Sequence, residues 1–600
     1  MTDEQAALWQ RVEEAIRQGQ LTQSAADNLK KWLTEPRYAA YASEVADHIR
    51  RQDWKTLDDV FWTVIPFGTG GRRGRMYPIG TNAINDRTIG ESAQGLATYV
   101  RESFPQKELA CGIAYDSRHR SRHFAELCAS IMVANGFRVY FLDDYRSTPE
   151  LSFLIRHWQC DCGIMVTASH NPPSDNAVKV YWSTGGQVLP PHDQQIIDRV
   201  MRVDDVATVD FDKAVAEGKI VLCTEETDRA YQAAVLKQQH SEARDLSILY
   251  SPLHGVGKFS VIPVLEQAGF EKVAIYAPQA DPDGDFPDVP GHVANPENPA
   301  VFDGMAEQAA QMGADIILAS DPDCDRMGCA TPLTWDPGAP YLSLTGNQLG
   351  ALLADYLLSV QPDLTADHYV VKTLVTTELT RRIADKKGVR TVGDLLVGFK
   401  YIAGVIDQQG PEHFVFGTEE SHGYLAGTYA RDKDGAVACL LISELAARCK
   451  SQGQTLHQRL AELHREHGYH AERLLTIAMP GSQGMKQMEA LMQRLRTEPP
   501  RSLGGCAVVQ CRDYLLGQTI SADGTRSPLQ GPKGNLLFFD FEQSGNSMAI
   551  RPSGTEPKIK CYMFGYEPPE GSADLDAAAS AVDRRLVAIE AEMRALAEAT

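Results

Sequence analysis

Ser169 stands in the run Thr167-Ala168-Ser169-His170-Asn171-Pro172-Pro173-Ser174-Asp175-Asn176, directly after the apolar residues Gly163 to Val166. A short apolar run bounded by turn formers reads as a buried strand. The prolines and the Ser/Asp/Asn cluster forbid its continuation as helix or sheet. Ser169 therefore lies on a loop at a strand exit, where open α/β sheets place their chemistry. Asp321, Asp323 and Asp325 alternate just after a second apolar run, residues 315–319. In an extended loop, held so by Pro322, alternate side chains share a side, and three carboxylates can converge on one hard cation. Mg²⁺ takes oxygen ligands of this kind and keeps a phosphate oxygen in its shell. An acidic surface turn or a helix N-cap fits the same three residues.

Three further polar loops supply what a reactive serine would need. Gly68 to Gly74 is glycine-rich and basic, matches neither the Walker lysine pattern nor the dinucleotide fingerprint, and lets backbone approach a phosphate closely. Glu419-Glu420-Ser421 follows the apolar run 414–416, and carboxylates beside a hydroxyl suit the vicinal hydroxyls of a sugar. Arg551, Ser553, Gly554, Thr555 and Lys558 gather guanidinium, hydroxyl, backbone N–H and ammonium donors in one loop, good chemistry for gripping a phosphate dianion. Each loop taken alone fits a plain turn; the combination carries the argument.

Together, and in this order, the loops resemble those of the α-D-phosphohexomutase superfamily. The resemblance implies four domains around a central cleft: three related α/β domains and a C-terminal α+β domain. It makes Ser169 a phosphoserine that hands its phosphate to a sugar phosphate. His170 and Lys179 then stabilise or offset that phosphate, or brace the loop. Arg73 becomes an active-site arginine, and Asp321, Asp323 and Asp325 hold Mg²⁺ together with the phosphate on Ser169. Glu419 and Ser421 bind the sugar, joined by Arg326 and Gly398. Arg551, Ser553, Gly554, Thr555 and Lys558 hold the phosphate that is not reacting. Lys433 matches a lysine proposed as an acid/base or phosphate contact. The expected activity is interconversion of hexose 1-phosphate and hexose 6-phosphate through a hexose 1,6-bisphosphate, with glucose phosphate first and mannose or pentose phosphate as alternatives. A metal-dependent sugar phosphatase or a non-catalytic sugar-phosphate sensor are the readings from other classes. Ala177 departs from the family, which has glycine after the asparagine, so residue 177 must avoid left-handed φ.

The elements that must position these loops follow from pattern. Residues 1–60 are charged and helical, with Leu8, Val12 and Ile16 at four-residue spacing, and read as a lead-in packed on the first domain. Strand-like runs alternate with helical ones from there to about residue 465, a rhythm that argues for parallel or mixed sheets. Three such rounds suggest diverged duplication without a visible sequence repeat. The expected divisions are 61–225 with the serine loop, 226–335 with the aspartates, 336–465 with the sugar loop and 466–600 with the phosphate loop. The last ends in a helix presenting Leu575, Val582, Leu586, Ile589, Met593 and Leu596 on one face.

Bulk composition excludes several partners. The 600 residues carry a net charge of −21, against nucleic acid or an anionic membrane as partner. A small sugar phosphate remains compatible, because Arg and Lys can gather at one cleft. No apolar run approaches the ~20 residues that span a bilayer, and the N-terminus shows no signal-peptide pattern. The 12 cysteines follow no disulfide or zinc spacing, so reduced thiols in a cytoplasmic protein are expected, as a monomer or small homo-oligomer.

Overall fold

The computed structural model describes residues 3–68, 70–479, 481–553, 558–572 and 574–599. The N-terminal helical pattern becomes four helices, Asp3–Arg17, Gln23–Thr34, Ala42–Arg51 and Trp54–Phe61. They are more than a lead-in. Val12, Leu29, Trp32, Ile49, Leu57 and Phe61 close on one another as a core of their own. The four-residue spacing exposed only the first helix's share of that core; the aromatic share lies on later, shorter helices where the period is hard to see.

Three α/β sheets follow, built on one plan. In the first, Leu109–Tyr115 is flanked in parallel by Phe137–Phe141 and Cys162–Val166, and Asp175–Trp182 returns antiparallel beside the latter. In the second, Ser247–Ser251 lies between Lys272–Ile275 and Ile316–Ser320, and Met327–Pro332 returns. In the third, Tyr369–Lys372 lies between Arg390–Val392 and Phe414–Glu419, and Gly423–Ala426 returns. Counted within each unit, these strands take the spatial order 2-1-3-4 every time. The duplication absent from the residues is present in the topology. Parallel neighbours need long crossovers, and helices such as Ser121–Ala134, Val261–Gln267 and Leu379–Lys386 supply them.

The return strands are the main departure from the sequence reading. Each motif loop is the tip of a hairpin: the serine loop joins Cys162–Val166 to Asp175–Trp182, the aspartate loop joins Ile316–Ser320 to Met327–Pro332, and the sugar loop joins Phe414–Glu419 to Gly423–Ala426. Gly71–Arg75 is likewise an edge strand, paired with Asp175–Trp182. Helix Thr224–Leu236 runs through the expected division at 225/226, and Tyr341–Leu344 pairs with Met327–Pro332, keeping the second sheet going past residue 335. Second and third units share one large core, in which helix Gly435–Ser451 contributes Ala436, Val437, Leu440 and Leu441 against Tyr250, Leu318 and Met327.

The C-terminal unit is a separate eight-stranded sheet. Its paired neighbours are antiparallel, from Tyr469–Ala478 on Lys558–Glu567 to Gln518–Ser521 on Arg526–Pro528. Helix Leu575–Glu598 lies on it through Val582, Leu586, Ile589 and Met593; Leu575 and Leu596, expected on that face, are only half-buried. Phe539 is fully buried between this sheet and its helices. Phe539→Ala should cost about 3–5 kcal/mol in the C-terminal unit, read as a lower urea midpoint for that unit's transition. An unchanged midpoint would show that the site repacks at no cost.

Candidate active site

Ser169 sits at its hairpin tip with φ of 54°, in the left-handed region that a non-glycine residue occupies only when its surroundings impose it. Arg118 does the imposing. Its buried guanidinium donates to the backbone carbonyls of Ser169, Asn171, Pro172 and Asp175, which closes the loop around one cation. Asp116 lies 3.4 Å from Arg118 Nε and accepts from the hydroxyls of Thr167 and Ser121. Asn176 ties the loop's far end to His119 and Ser121. Ala177 is extended and paired with Arg73, so the absent glycine causes no strain there.

The Ser169 hydroxyl donates to Asp321 Oδ2 at 2.8 Å and lies 3.4 Å from His170 Nδ1. Asp321 belongs to a loop that is not extended. Cys324 N–H donates to Asp321 O, Cys324 takes φ of 50°, and Asp321 Oδ1 accepts the N–H groups of Asp325 and Arg326. The aspartates converge because the chain turns tightly, with the Cys324 thiol driven into the core beside Ser260. Ligand oxygens from Asp321, Asp323 and Asp325 lie within 4.8 Å of one another, all buried. Lys179 reaches Asp323 Oδ2 at 2.8 Å, Thr148 donates to the same oxygen at 2.7 Å, and Lys433 reaches Asp325 Oδ2 at 2.8 Å. Asp323 Oδ1 and Asp325 Oδ1 are buried with no hydrogen-bond donor. An all-oxygen set with two orphaned carboxylate oxygens fits a small hard cation. Burial and the two neighbouring carboxylates push Asp321 well above the usual carboxylate range, a measure of the uncompensated charge.

The third unit closes over this cluster. Met327 N–H donates to His422 O, joining the aspartate hairpin to the sugar hairpin, whose own tip residue His422 has φ of 63°. Glu419 is buried and its carboxyl is raised by desolvation, although Lys433 and Arg326 pull the other way. Glu420 is pushed up to about 7 by desolvation and by Glu419. Ser421 and Glu420 line a cavity of about 240 Å³ with Glu297 and, from the C-terminal unit, Lys560 and Tyr562. Arg551 pairs with Lys560 across its hairpin and donates to the Tyr562 hydroxyl, while its buried Nε has no partner among the described residues. Arg551, Lys558 and Lys560 lie within electrostatic reach of one another, and Lys560 feels Glu297 and Glu420 as well.

The expected residues are brought together unevenly. Ser169, His170, Lys179, Asp321, Asp323, Asp325, Arg326, Glu419 and Lys433 form one continuous cluster, with Arg73 donating to Asn171 at its edge. Burial and the guanidiniums of Arg326, Arg73 and Arg118 hold the His170 imidazole neutral, well below its usual range. Burial works against a charged Lys433, but Asp325, Asp432 and Glu419 outweigh it and keep the ammonium. Gly398, with φ of 131°, starts helix Phe399–Gln409 and is not among these contacts. Ser553 accepts its place through its N–H, donated to Lys558 O; Gly554 and Thr555 lie outside the described residues. Sequence reasoning missed Arg118, Thr148, Glu297 and Lys560. Only Lys560, in the same basic run as Lys558, left a sequence signal.

The phosphoglucomutase/phosphomannomutase models of α/β/α domains I, II and III match residues 65–207, 229–334 and 345–467. The chain belongs to the phosphoglucomutase/phosphomannomutase family, within the superfamily that the loops resemble. It is 34% identical over 526 residues to the phosphoglucomutase of Staphylococcus haemolyticus, covering 87% of this chain and 94% of that one. Over 532 residues it is 34% identical to the phosphoglucomutase of Staphylococcus saprophyticus, with the same coverage. Its fold is shared with a putative phosphomannomutase from Thermus thermophilus (TM-score 0.62, 20% identity, 87% of this chain and 99% of that one). It is shared too with the phosphoglucomutase parafusin from Paramecium (TM-score 0.63, 18% identity, 89% and 98%).

Removing one partner from a buried charge network costs about 3–5 kcal/mol, so Arg118→Met should lower the first thermal transition by several degrees. Arg118→Lys should recover little of it, because one ammonium cannot reach four carbonyls. Unchanged melting in Arg118→Met would show that the loop holds itself.

Proposed function

We propose that the chain is a phosphosugar mutase that interconverts glucose 1-phosphate and glucose 6-phosphate through phospho-Ser169 and a bound glucose 1,6-bisphosphate. One observation carries it: a strained serine whose hydroxyl meets a buried triad of aspartates at 2.8 Å. Glucose comes first because relatives at 32–34% identity over most of the chain are named phosphoglucomutase. The cytoplasm is the proposed location; among the described residues no helix is long and apolar enough to cross a membrane. Small sugar phosphates are the proposed partners of a monomer or small homo-oligomer.

In the first half-reaction a hydroxyl oxygen of the bound sugar phosphate attacks the phosphorus on Ser169. The new O–P bond forms as the Ser169 Oγ–P bond breaks, and the attacking hydroxyl's proton ends, in net, on Ser169 Oγ. Asp321 Oδ2 lies 2.8 Å from that oxygen and would accept the new O–H. Mg²⁺, held by Asp321, Asp323 and Asp325, supplies positive charge beside the transferring oxygens when bound. Lys179 and Lys433 flank the same oxygens as fixed counter-charges. Held protonated, Lys433 suits an acid or counter-charge and not a base. Glu419 and Ser421 hold the ring, and Arg326 orients at the junction of the two loops. Arg551, Ser553, Gly554, Thr555 and Lys558 hold the distal phosphate. The bisphosphate then reorients and returns its other phosphate to Ser169.

With Mg²⁺ and glucose 1,6-bisphosphate, intact-mass analysis should show one added phosphate on the native chain and none on Ser169→Ala, whose turnover should fall by several orders of magnitude. Excess chelator should abolish turnover and Mg²⁺ restore it. In a coupled assay glucose 1-phosphate should outrun mannose 1-phosphate and ribose 1-phosphate. Full activity in Ser169→Ala would refute the reading.

A charge-assisted hydrogen bond to phosphate is worth on the order of 1.5–3 kcal/mol. Arg551→Ala should therefore lower kcat/KM by roughly ten- to a hundredfold in both directions, while Ser169 still accepts phosphate from the bisphosphate. Unchanged kinetics would place the distal phosphate elsewhere.

A further inference from the structure

The four N-terminal helices precede the first family match at residue 65 and have no part in the proposed reaction. They nevertheless share a cavity with the strand that carries Arg73. Neighbouring strand residues point to opposite faces, so Arg73 reaches Asn171 on the serine loop while Arg72 turns toward the helical bundle. There Arg72 is buried, lining a cavity of about 130 Å³ with Asn28, Trp32, Arg37, Thr88 and Met201.

The polar groups of this cavity are left incomplete. Arg72 Nη1 is satisfied twice, by Thr88 O at 2.9 Å and Glu91 Oε2 at 2.8 Å. Its other edge, Nε with Nη2, is the fork that grips a carboxylate or phosphate side-on. That edge has only the Met201 thioether at 3.7 Å from Nη2, and among the described residues Nε has no partner. The indole N–H of Trp32, which lines the same cavity and is itself buried, also has no partner among them. Two residues of this one small cavity, from two units, thus each carry a buried donor without an acceptor, a cost that folding does not leave unmet without reason.

The charge around it is not balanced either. Glu91 is shared between Arg72 and Arg87, and Arg37 is paired with Glu35 and Asp204. With exposed Lys31 on the cavity wall, four cations stand against three carboxylates. Trp32, Val200 and Met201 give the remaining walls an apolar character. The volume excludes a nucleotide or a sugar phosphate of drug size and suits an anion of a few heavy atoms.

The geometry points to a second binding site, between the helical bundle and the first α/β unit, for a small oxyanion bearing a carboxylate or phosphate group. The anion accepts from Arg72 Nε and Nη2 on one side and from Trp32 Nε1 on the other. It thereby clamps the bundle to the strand whose opposite face presents Arg73.

Crystals soaked in sodium selenate, with data collected at the selenium edge, should show an anomalous peak within hydrogen-bond reach of both Trp32 Nε1 and Arg72. In solution, calorimetric titration with inorganic phosphate and with malonate reports which oxyanion is preferred. The component lost in the variants distinguishes this site from the catalytic cleft. Affinity should fall at least tenfold in Arg72→Met and several-fold in Trp32→Phe and in Lys31→Glu, the last an exposed change that tests the site even where Arg72→Met does not fold. A selenium peak confined to the catalytic cleft, ordered water alone between the two donors, or unchanged titrations in Trp32→Phe and Lys31→Glu would overturn the inference.

Discussion

Three buried carboxylates held within 4.8 Å of one another are the constraint on which the rest depends. Their mutual repulsion and desolvation are large, and no single unit contributes enough positive charge to offset them. Lys179 comes from the first α/β unit, Arg326 from the second and Lys433 from the third. The acid cluster therefore acts as a joint. Each unit sets a buried cation against the aspartates, with Glu297 also beside Arg326 and Asp432 beside Lys433. The three cations do not fully offset the cluster: Glu419 belongs to it too, Arg326 also pairs with Glu297, and Asp321 is pushed well above the usual carboxylate range. A divalent cation and a phosphoserine of charge near −2 would add nothing net, so the same balance would hold in both chemical states of Ser169.

The topology explains how one constraint can recruit three units. In each, the third strand ends at the cleft and reverses into an antiparallel partner, and the reversal contains a non-glycine residue in the left-handed region: Ser169, Cys324 and His422. Glycine would relieve the strain but remove the side chain. Ser169 needs its hydroxyl, Cys324 anchors the turn by its thiol in the core, and His422 passes its carbonyl to Met327 while its Nδ1 lies 3.2 Å from Met327 O. The same hairpin thus delivers the loop of Ser169, the turn of the three aspartates and the loop of Glu419 and Ser421 from one strand order.

Legibility in the sequence followed locality. The strands leading into the loops were visible as apolar runs, and the loops as clusters of turn formers. The return strands were not. Asp175–Trp182 begins with two polar residues and contains Lys179, because one of its faces is spent on the site, so neither alternation nor apolarity marks it. Arg118 escaped for a different reason. It stands 51 residues from Ser169 on a separate loop, and its work is done on backbone carbonyls, which leave no trace in residue identity. Glu297 lay in a Pro/Asp/Gly-rich stretch that gave no sign of folding back onto Arg326. The helical bundle's core was hidden because its buried aromatic members, Trp32, Tyr38, Trp54 and Phe61, are scattered over short segments after the first helix.

The C-terminal unit is held to the site by a different balance, and the difference bears on mechanism. At the aspartates three carboxylates crowd together and Asp321 is pushed up. At the far end, among the described residues, Arg551, Lys558 and Lys560 gather with Glu297 and Glu420, and Glu297 is already engaged by Arg326. Glu420, near neutral pH in its affinity for a proton, is a weak opponent at best. The described cations therefore concentrate away from the aspartates. In the proposed reaction a substrate with one phosphate would place it at this cationic end, which would present its free hydroxyl to Ser169. A bisphosphate would fill both ends, and whichever phosphate occupied the far end would leave the other against the aspartates. An asymmetric site would then serve both half-reactions through the turning of the sugar.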